Sequence, residues 1–133
     1  MDKEYLIDSN AIIDYLAGKY PLAGKTFMNS VVNKTPVLSV ISKIEILGFS
    51  TTREAESLIE DFVTVSYIFP LTDTIVEKTI ELRKSIKIKL PDAIIAATCL
   101  ASDLILITHN IKDFMNIPDL KIIDPYMTKY TES

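Results

Sequence analysis

The chain has 133 residues, enough for one domain with a real core, and its 48% hydrophobic content excludes an intrinsically disordered protein. A net charge of −4 argues against a nucleic-acid binder held by bulk positive charge, but not against an enzyme whose acids hold a cation that meets phosphate. One cysteine, Cys99, excludes an internal disulfide and a multi-cysteine metal site within one chain.

No apolar run approaches the ~20 residues of a membrane-spanning helix, and the start, MDKEYLID, reads as entry into a strand rather than a signal peptide. A soluble cytoplasmic protein without a membrane partner is expected. Tyr5–Ile7 reads as the first strand, followed by a helix over about 10–17 that Gly18 ends. A second helix is expected over about 22–33 and a second strand over 37–40. Ser42 is expected to begin a third helix, since S-K-I-E matches a capping box. Thr52 is expected to cap a fourth, about 53–62, with the stripe Ala55, Leu58, Ile59, Phe62 turned inward. A third strand is expected over 63–69.

Thr72 or Asp73 should cap a long helix to about Ile86, and Pro91 suits the first turn of an alanine-rich helix over 92–101. Leu104–Ile107 is a short β-branched apolar run, the mark of a buried parallel strand. A short helix near 112–115, a last strand over 121–123 and a frayed tail from about 126 complete a single domain over 1–133. Strands alternating with helices predict an α/β fold with a mainly parallel sheet covered on both faces. If the first and fourth strands are neighbours, the order reverses between them and opens a crevice at their carboxyl ends.

Polar residues follow both of those strands: Asp8, Ser9 and Asn10 after one, Thr108, His109, Asn110 and Asp113 after the other. Singly, each acid has a bland explanation. Asp8 caps a helix, Glu45 completes the capping box, Asp92 complements a helix dipole, and Asp113 is a surface charge. Yet Glu45 lies in the otherwise apolar LSVISKIEILGF, and Asp8, Asp92 and the Asn110/Asp113 pair can converge on one sheet edge. Clustered carboxylates repel, and a divalent cation relieves that repulsion. Oxygen-only ligands select Mg²⁺ or Mn²⁺ and argue against zinc.

The stretches LIDSNAIIDYL (6–16), LSVISKIEILGF (38–49), LPDAIIAATCLASDLILITHNIKDF (90–114) and IIDP (122–125) resemble the PIN-domain ribonucleases, and among them the VapC-type toxins. The resemblance implies a three-layer α/β/α domain with about five strands, working as a Mg²⁺- or Mn²⁺-dependent endoribonuclease with a small antitoxin partner and a homodimeric state. It assigns catalytic roles to Asp8, Glu45 and Asp92, with the fourth acidic position at Asn110 or Asp113. We take Asp113 as that acid. Asp8, Asp92 and Asp113 are then the metal ligands, and Asn10, Thr108 and Asn110 give polar support. Glu45 is the candidate to orient or deprotonate the attacking water, leaving a 5′-phosphate and a 3′-hydroxyl.

Arg83, Lys84, Lys87 and Lys89, the most basic stretch, are candidates to guide the RNA backbone, although a solvated helix end explains any one of them. His109 is expected as a surface or RNA-contacting group, and Cys99 as packing. A haloacid-dehalogenase-like phosphatase would need an acid where Asn10 stands. A response-regulator receiver would need a second acid beside Asp8, and no phosphate-binding loop is present. The remaining alternative is an inactive PIN-like module that binds RNA or protein; Asn110 favours it, and Asp8, Glu45, Asp92 and Asp113 argue against it.

Overall fold

The computed structural model describes residues 4–128. In chain order these form β1 (Tyr5–Ile7), α1 (Ser9–Leu16), α2 (Leu22–Asn33), β2 (Val37–Ser39), α3 (Val40–Leu47) and α4 (Arg53–Val65). They continue as β3 (Tyr67–Phe69), α5 (Asp73–Ser85), α6 (Leu90–Ser102), β4 (Ile105–Ile107), α7 (Ile111–Phe114) and β5 (Ile122–Ile123). Every strand pairing is parallel. β1 pairs with β4 in the register Leu6↔Leu106, and β4 pairs with β5 in the register Leu106↔Ile122. β2 pairs with β3 in the register Leu38↔Ile68 and lies beside β1.

Hydrogen bonding therefore divides five strands into a group of three and a group of two, in the spatial order β3-β2-β1-β4-β5. The chain leaves β1 in one direction and returns on its other side at β4. That is the reversal at which an open α/β sheet forms a crevice outside its carboxyl edge.

Alternation along the two central strands creates the three layers. Leu6 and Leu106 are fully buried on one face, against Leu82 of α5, Ile95 of α6 and Phe114 of α7. Ile7 and Ile107 are fully buried on the other, against Ile12 of α1, Met28 of α2, Ile46 of α3 and Phe62 of α4. Each such side chain contributes about 1.5–3 kcal/mol by leaving water. The run Ala93–Cys99 is buried on every side of α6, and Ala93, Ala96 and Ala97 let this helix lie close to the sheet.

Four expectations change, one of them at the carboxyl end. The third helix begins at Val40, capped by Ser39, whose hydroxyl accepts from Ile41 N at 3.1 Å. Ser42 is thus inside α3, buried, and its Oγ has no partner among the described residues, so Ser42 and Glu45 form no capping box. Helix α4 runs on to Val65 and leaves β3 only three residues, because Val63 packs on the same core as Ile59 and Phe62. Leu58, expected inside, is exposed.

At the other end, Tyr126 is expected in the frayed tail, yet its hydroxyl donates to Asp14 Oδ2 at 2.8 Å. The rest of that expected tail, 129–133, lies outside the described residues.

Candidate metal-dependent active site

Where β1 and β4 stop, the ladder continues through two backbone bonds. Asp8 N donates to Ile107 O at 2.9 Å, and Thr108 N donates to Ile123 O at 3.1 Å. These bonds set Asp8 and Thr108 side by side at the sheet edge. Thr108, fully buried, donates Oγ1 to Asp8 Oδ2 at 2.8 Å, and Asn10 donates Nδ2 to the same oxygen at 2.9 Å. The other oxygen accepts from Ser9 N at 2.8 Å, which makes Asp8 the N-cap of α1. The capping role and the site position therefore belong to one carboxylate. Burial pushes the Asp8 carboxyl above its usual range and the charge of Glu45 adds to this, while the bonds from Thr108, Ser9 and Asn10 oppose it.

Glu45 comes from α3, on an exposed turn, and its Oε1 accepts the Ser9 hydroxyl at 2.6 Å. Asp92 stands in the first turn of α6, next to Pro91, whose missing N–H costs nothing there. Its carboxyl is pushed up to about 6, first by burial and then by the charges of Asp113 and Asp8; Lys89 opposes this and Glu45 reinforces it. Four carboxylates from the β1 edge, α3, α6 and α7 thus share one electrostatic neighbourhood.

Between the two candidates for the fourth acid, the geometry separates the roles. Asp113 is the charge that acts on Asp92. Asn110 is exposed at the N-terminus of α7, where its backbone N donates to Thr108 Oγ1 at 3.1 Å.

Among the described residues no three His, Cys, Asp or Glu side chains form a group able to hold an ion. The carboxylates whose charges act on one another are all oxygen donors, and their mutual repulsion is the condition a hard cation relieves. A spread set of this kind suits Mg²⁺, which keeps several waters and takes only one or two carboxylates directly. The donor chemistry, rather than a preformed cluster, fits such an ion.

Of the basic candidates, Arg83, Lys87 and Lys89 line a cavity of about 770 Å³ that also reaches Asp92 and Asp113. Lys84 is exposed and does not line it. His109 donates its backbone N to Asn10 Oδ1 at 3.3 Å, and its ring Nδ1 lies 2.9 Å from Asp124 Oδ2. The second oxygen of Asp124 accepts from Tyr126 N at 3.0 Å, and the Tyr126 ring lies 4.7 Å from that of His109. The sequence shows Ser9 only as one of the polar residues after the first strand and Asp124 only within the IIDP stretch, and it gives no role to Lys112, which lines the same cavity. The D-S-N triplet is the available signal for Ser9 and the IIDP stretch the one for Asp124; no local pattern marks Lys112.

A family model for the PIN domain matches residues 5–120. The chain belongs to the PIN-domain family. The matched span of this PIN domain takes in Asp8, Glu45, Asp92 and Asp113, while Asp124 and Tyr126 lie beyond it.

Solved structures agree. A toxin–antitoxin complex from Klebsiella pneumoniae contains a chain 30% identical, covering 92% of this PIN domain and 98% of that chain, with a TM-score of 0.74. VapBC-1 from nontypeable Haemophilus influenzae is similar at 25% identity over 91% of this chain and 97% of that one, again with a TM-score of 0.74. A DNA-bound VapBC from Salmonella typhimurium, at 20% identity over 93% and 99% of the two chains, shares the fold with a TM-score of 0.76. No match was found among curated proteins.

Proposed function

We propose that this PIN domain is a divalent-metal-dependent endoribonuclease and the toxin of a toxin–antitoxin pair. The observation that carries the reading is Asp92, whose carboxyl stands at about 6 through burial and the charges of Asp113, Asp8 and Glu45. Such a cluster at a sheet switch point favours a cation and, through it, a phosphate. The similarity to chains of toxin–antitoxin complexes supports the toxin role and a small antitoxin partner. A homodimer and a cytoplasmic location belong to the same reading. No helix among the described residues is long and apolar enough to cross a membrane.

Asp8, Asp92 and Asp113 would hold Mg²⁺ or Mn²⁺. When bound, the ion makes a water nucleophilic at neutral pH and offsets charge developing on the phosphoryl oxygens. Thr108 and Asn10 keep Asp8 in one orientation with their bonds to Oδ2. Glu45, steadied by the Ser9 hydroxyl, orients the attacking water and takes its proton. In-line attack on RNA then leaves a 5′-phosphate and a 3′-hydroxyl.

The deciding experiment is cleavage of total RNA by purified, antitoxin-free chain with Mn²⁺ or Mg²⁺, against EDTA and Asp8→Asn controls. Metal-dependent cutting that disappears in the variant supports the reading. A folded chain that neither cuts RNA nor gains thermal stability from either metal overturns it in favour of an inert binding module.

A further inference from the structure

We propose that His109 donates a proton to the 3′ oxygen that leaves in the cut, with Asp124 as its positioning residue. This rests on the ribonuclease reading and deepens it.

The carboxyl edge of the sheet carries polar groups one strand beyond Asp8. Asp8 follows β1, Thr108 and His109 follow β4, and Asp124 follows β5, the neighbour of β4. The His109 ring Nδ1 lies 2.9 Å from Asp124 Oδ2. A carboxylate only accepts, so Nδ1 carries the hydrogen. A pair between two solvated side chains would be worth little, but the Asp124 side chain is only 4% exposed. Its other oxygen accepts from Tyr126 N, an Asx-turn that leaves the bond to His109 unexplained. The Tyr126 ring, 4.7 Å away, packs on the imidazole, and the bond from His109 N to Asn10 Oδ1 fixes the backbone. Held in this way, the His109 side chain is still 56% exposed. Its Nε2 makes no hydrogen bond among the described residues.

Order along the edge assigns the role. Glu45 reaches Ser9 from α3, which follows β2. Strands β2 and β4 flank β1, so Glu45 and His109 stand on opposite sides of Asp8. In-line displacement puts the attacking and leaving oxygens on opposite sides of phosphorus. Water activated at Glu45 therefore drives the leaving oxygen toward β4 and β5, where His109 stands. In the charged imidazole both nitrogens bear hydrogen. The water oxygen bonds to phosphorus as the P–O3′ bond breaks. Glu45 takes a proton from the water, and His109 gives its Nε2 proton to O3′. The products are a 5′-phosphate, a 3′-hydroxyl and a neutral imidazole that still donates through Nδ1 to Asp124. Exchange with solvent resets both groups.

The test uses the full chain with Mn²⁺ on an oligoribonucleotide spanning a cut mapped in total RNA. A second substrate carries sulfur in place of the leaving 3′ oxygen. On the oxygen linkage, His109→Ala should lower the maximal single-turnover rate by about 10²–10⁴-fold, the range of a lost general acid. The half-saturating concentration should not change. A thiol is a far stronger acid than an alcohol and leaves without being handed a proton. His109→Ala should therefore cut the sulfur linkage at nearly the rate of the unmodified chain. Asp124→Asn should repeat this pattern with a smaller loss. In EDTA, the nitrogen resonances of the neutral His109 ring should place its hydrogen on Nδ1, and on Nε2 in Asp124→Asn, whose amide can donate to Nδ1. Thermal melts check that both variants are folded.

A folded His109→Ala that cuts the oxygen linkage at the unmodified rate overturns the proposal. So does one that cuts the sulfur linkage no faster than the oxygen linkage, or a neutral ring with its hydrogen on Nε2 in the unmodified chain. The ribonuclease itself stands in each case, since the unmodified chain still cuts. An unmodified chain that cuts no RNA with either metal ends the ribonuclease reading, and this proposal falls with it.

Discussion

Thr108 donates its hydroxyl to Oδ2 of Asp8 over 2.8 Å, joining residues one hundred positions apart in a buried pair. The bond holds the carboxylate still and favours its charged form against the burial that disfavours it. Thr108→Val keeps the shape and removes the donor. Stability should fall by about 1–3 kcal/mol in urea, since a buried carboxylate loses a partner. The Asp8 carboxyl should rise further, so the acid limb of the cleavage profile should move to higher pH. A profile superimposable on that of the unmodified chain would show that this bond does not tune Asp8.

Asp92 gives the metal-free chain a definite pH dependence. Its folded-state value of about 6 lies above the ordinary 3.8, so the folded chain holds the extra proton between those values. Stability should therefore be higher at low pH and decline as pH rises from about 4 to about 6, levelling beyond. Solvent screening limits this loss to on the order of 1 kcal/mol. Asp92→Asn should flatten that decline and melt higher than the unmodified chain at neutral pH without metal. Thermal melts across pH in EDTA read both effects.

Glu45 is exposed and bound by Ser9 Oγ at 2.6 Å, so its removal should damage chemistry more than folding. Glu45→Gln should lower kcat by about 10²–10⁴-fold, the range of a lost general base, and change stability by less than about 0.5 kcal/mol. Ser9→Ala should cost less, and chiefly in kcat. Single-turnover cleavage of a defined RNA separates these outcomes, and an unchanged kcat in Glu45→Gln would remove Glu45 from the mechanism.

Gly24 of α2 locks the end of the described chain in place. A Cβ there would lie 2.1 Å from the carbonyl oxygen of Pro125. Gly24→Ala should destabilise by about 1–3 kcal/mol, because backbone rather than a flexible side-chain tip must yield. Since Asp124 and Tyr126 flank that contact, the His109–Asp124 bond should loosen as well. Urea midpoints measure the first effect, and the imidazole chemical shifts of His109, the only histidine, report the second.

The sequence by itself determined what local periodicity controls. The bounds of β1 and α2 were legible, as were the caps at Thr52 and Thr72, because each follows from spacing within one or two turns. The acids were legible as candidates because Asp8 ends an apolar run, Glu45 interrupts one, Asp92 opens one, and Asp113 belongs to the polar group that follows Leu104–Ile107.

Boundaries set by packing were not. Val63 reads equally well as strand or helix, and only its place beside Ile59 and Phe62 makes it helical. Ser42 fits a capping box by spacing, and only the position of Ser39 at the end of β2 displaces it. The tertiary structure alone decided that β1 and β4 are neighbours. That one pairing brings Thr108 to Asp8 and His109 to Asn10, and the packing of the helices sets Arg83 and Lys112, far apart in sequence, in the lining of one cavity. Hydrogen bonds and charges act over a few ångströms of space, whereas a sequence records only separation along the chain. Contacts between its distant parts exist only once the sheet has chosen its order.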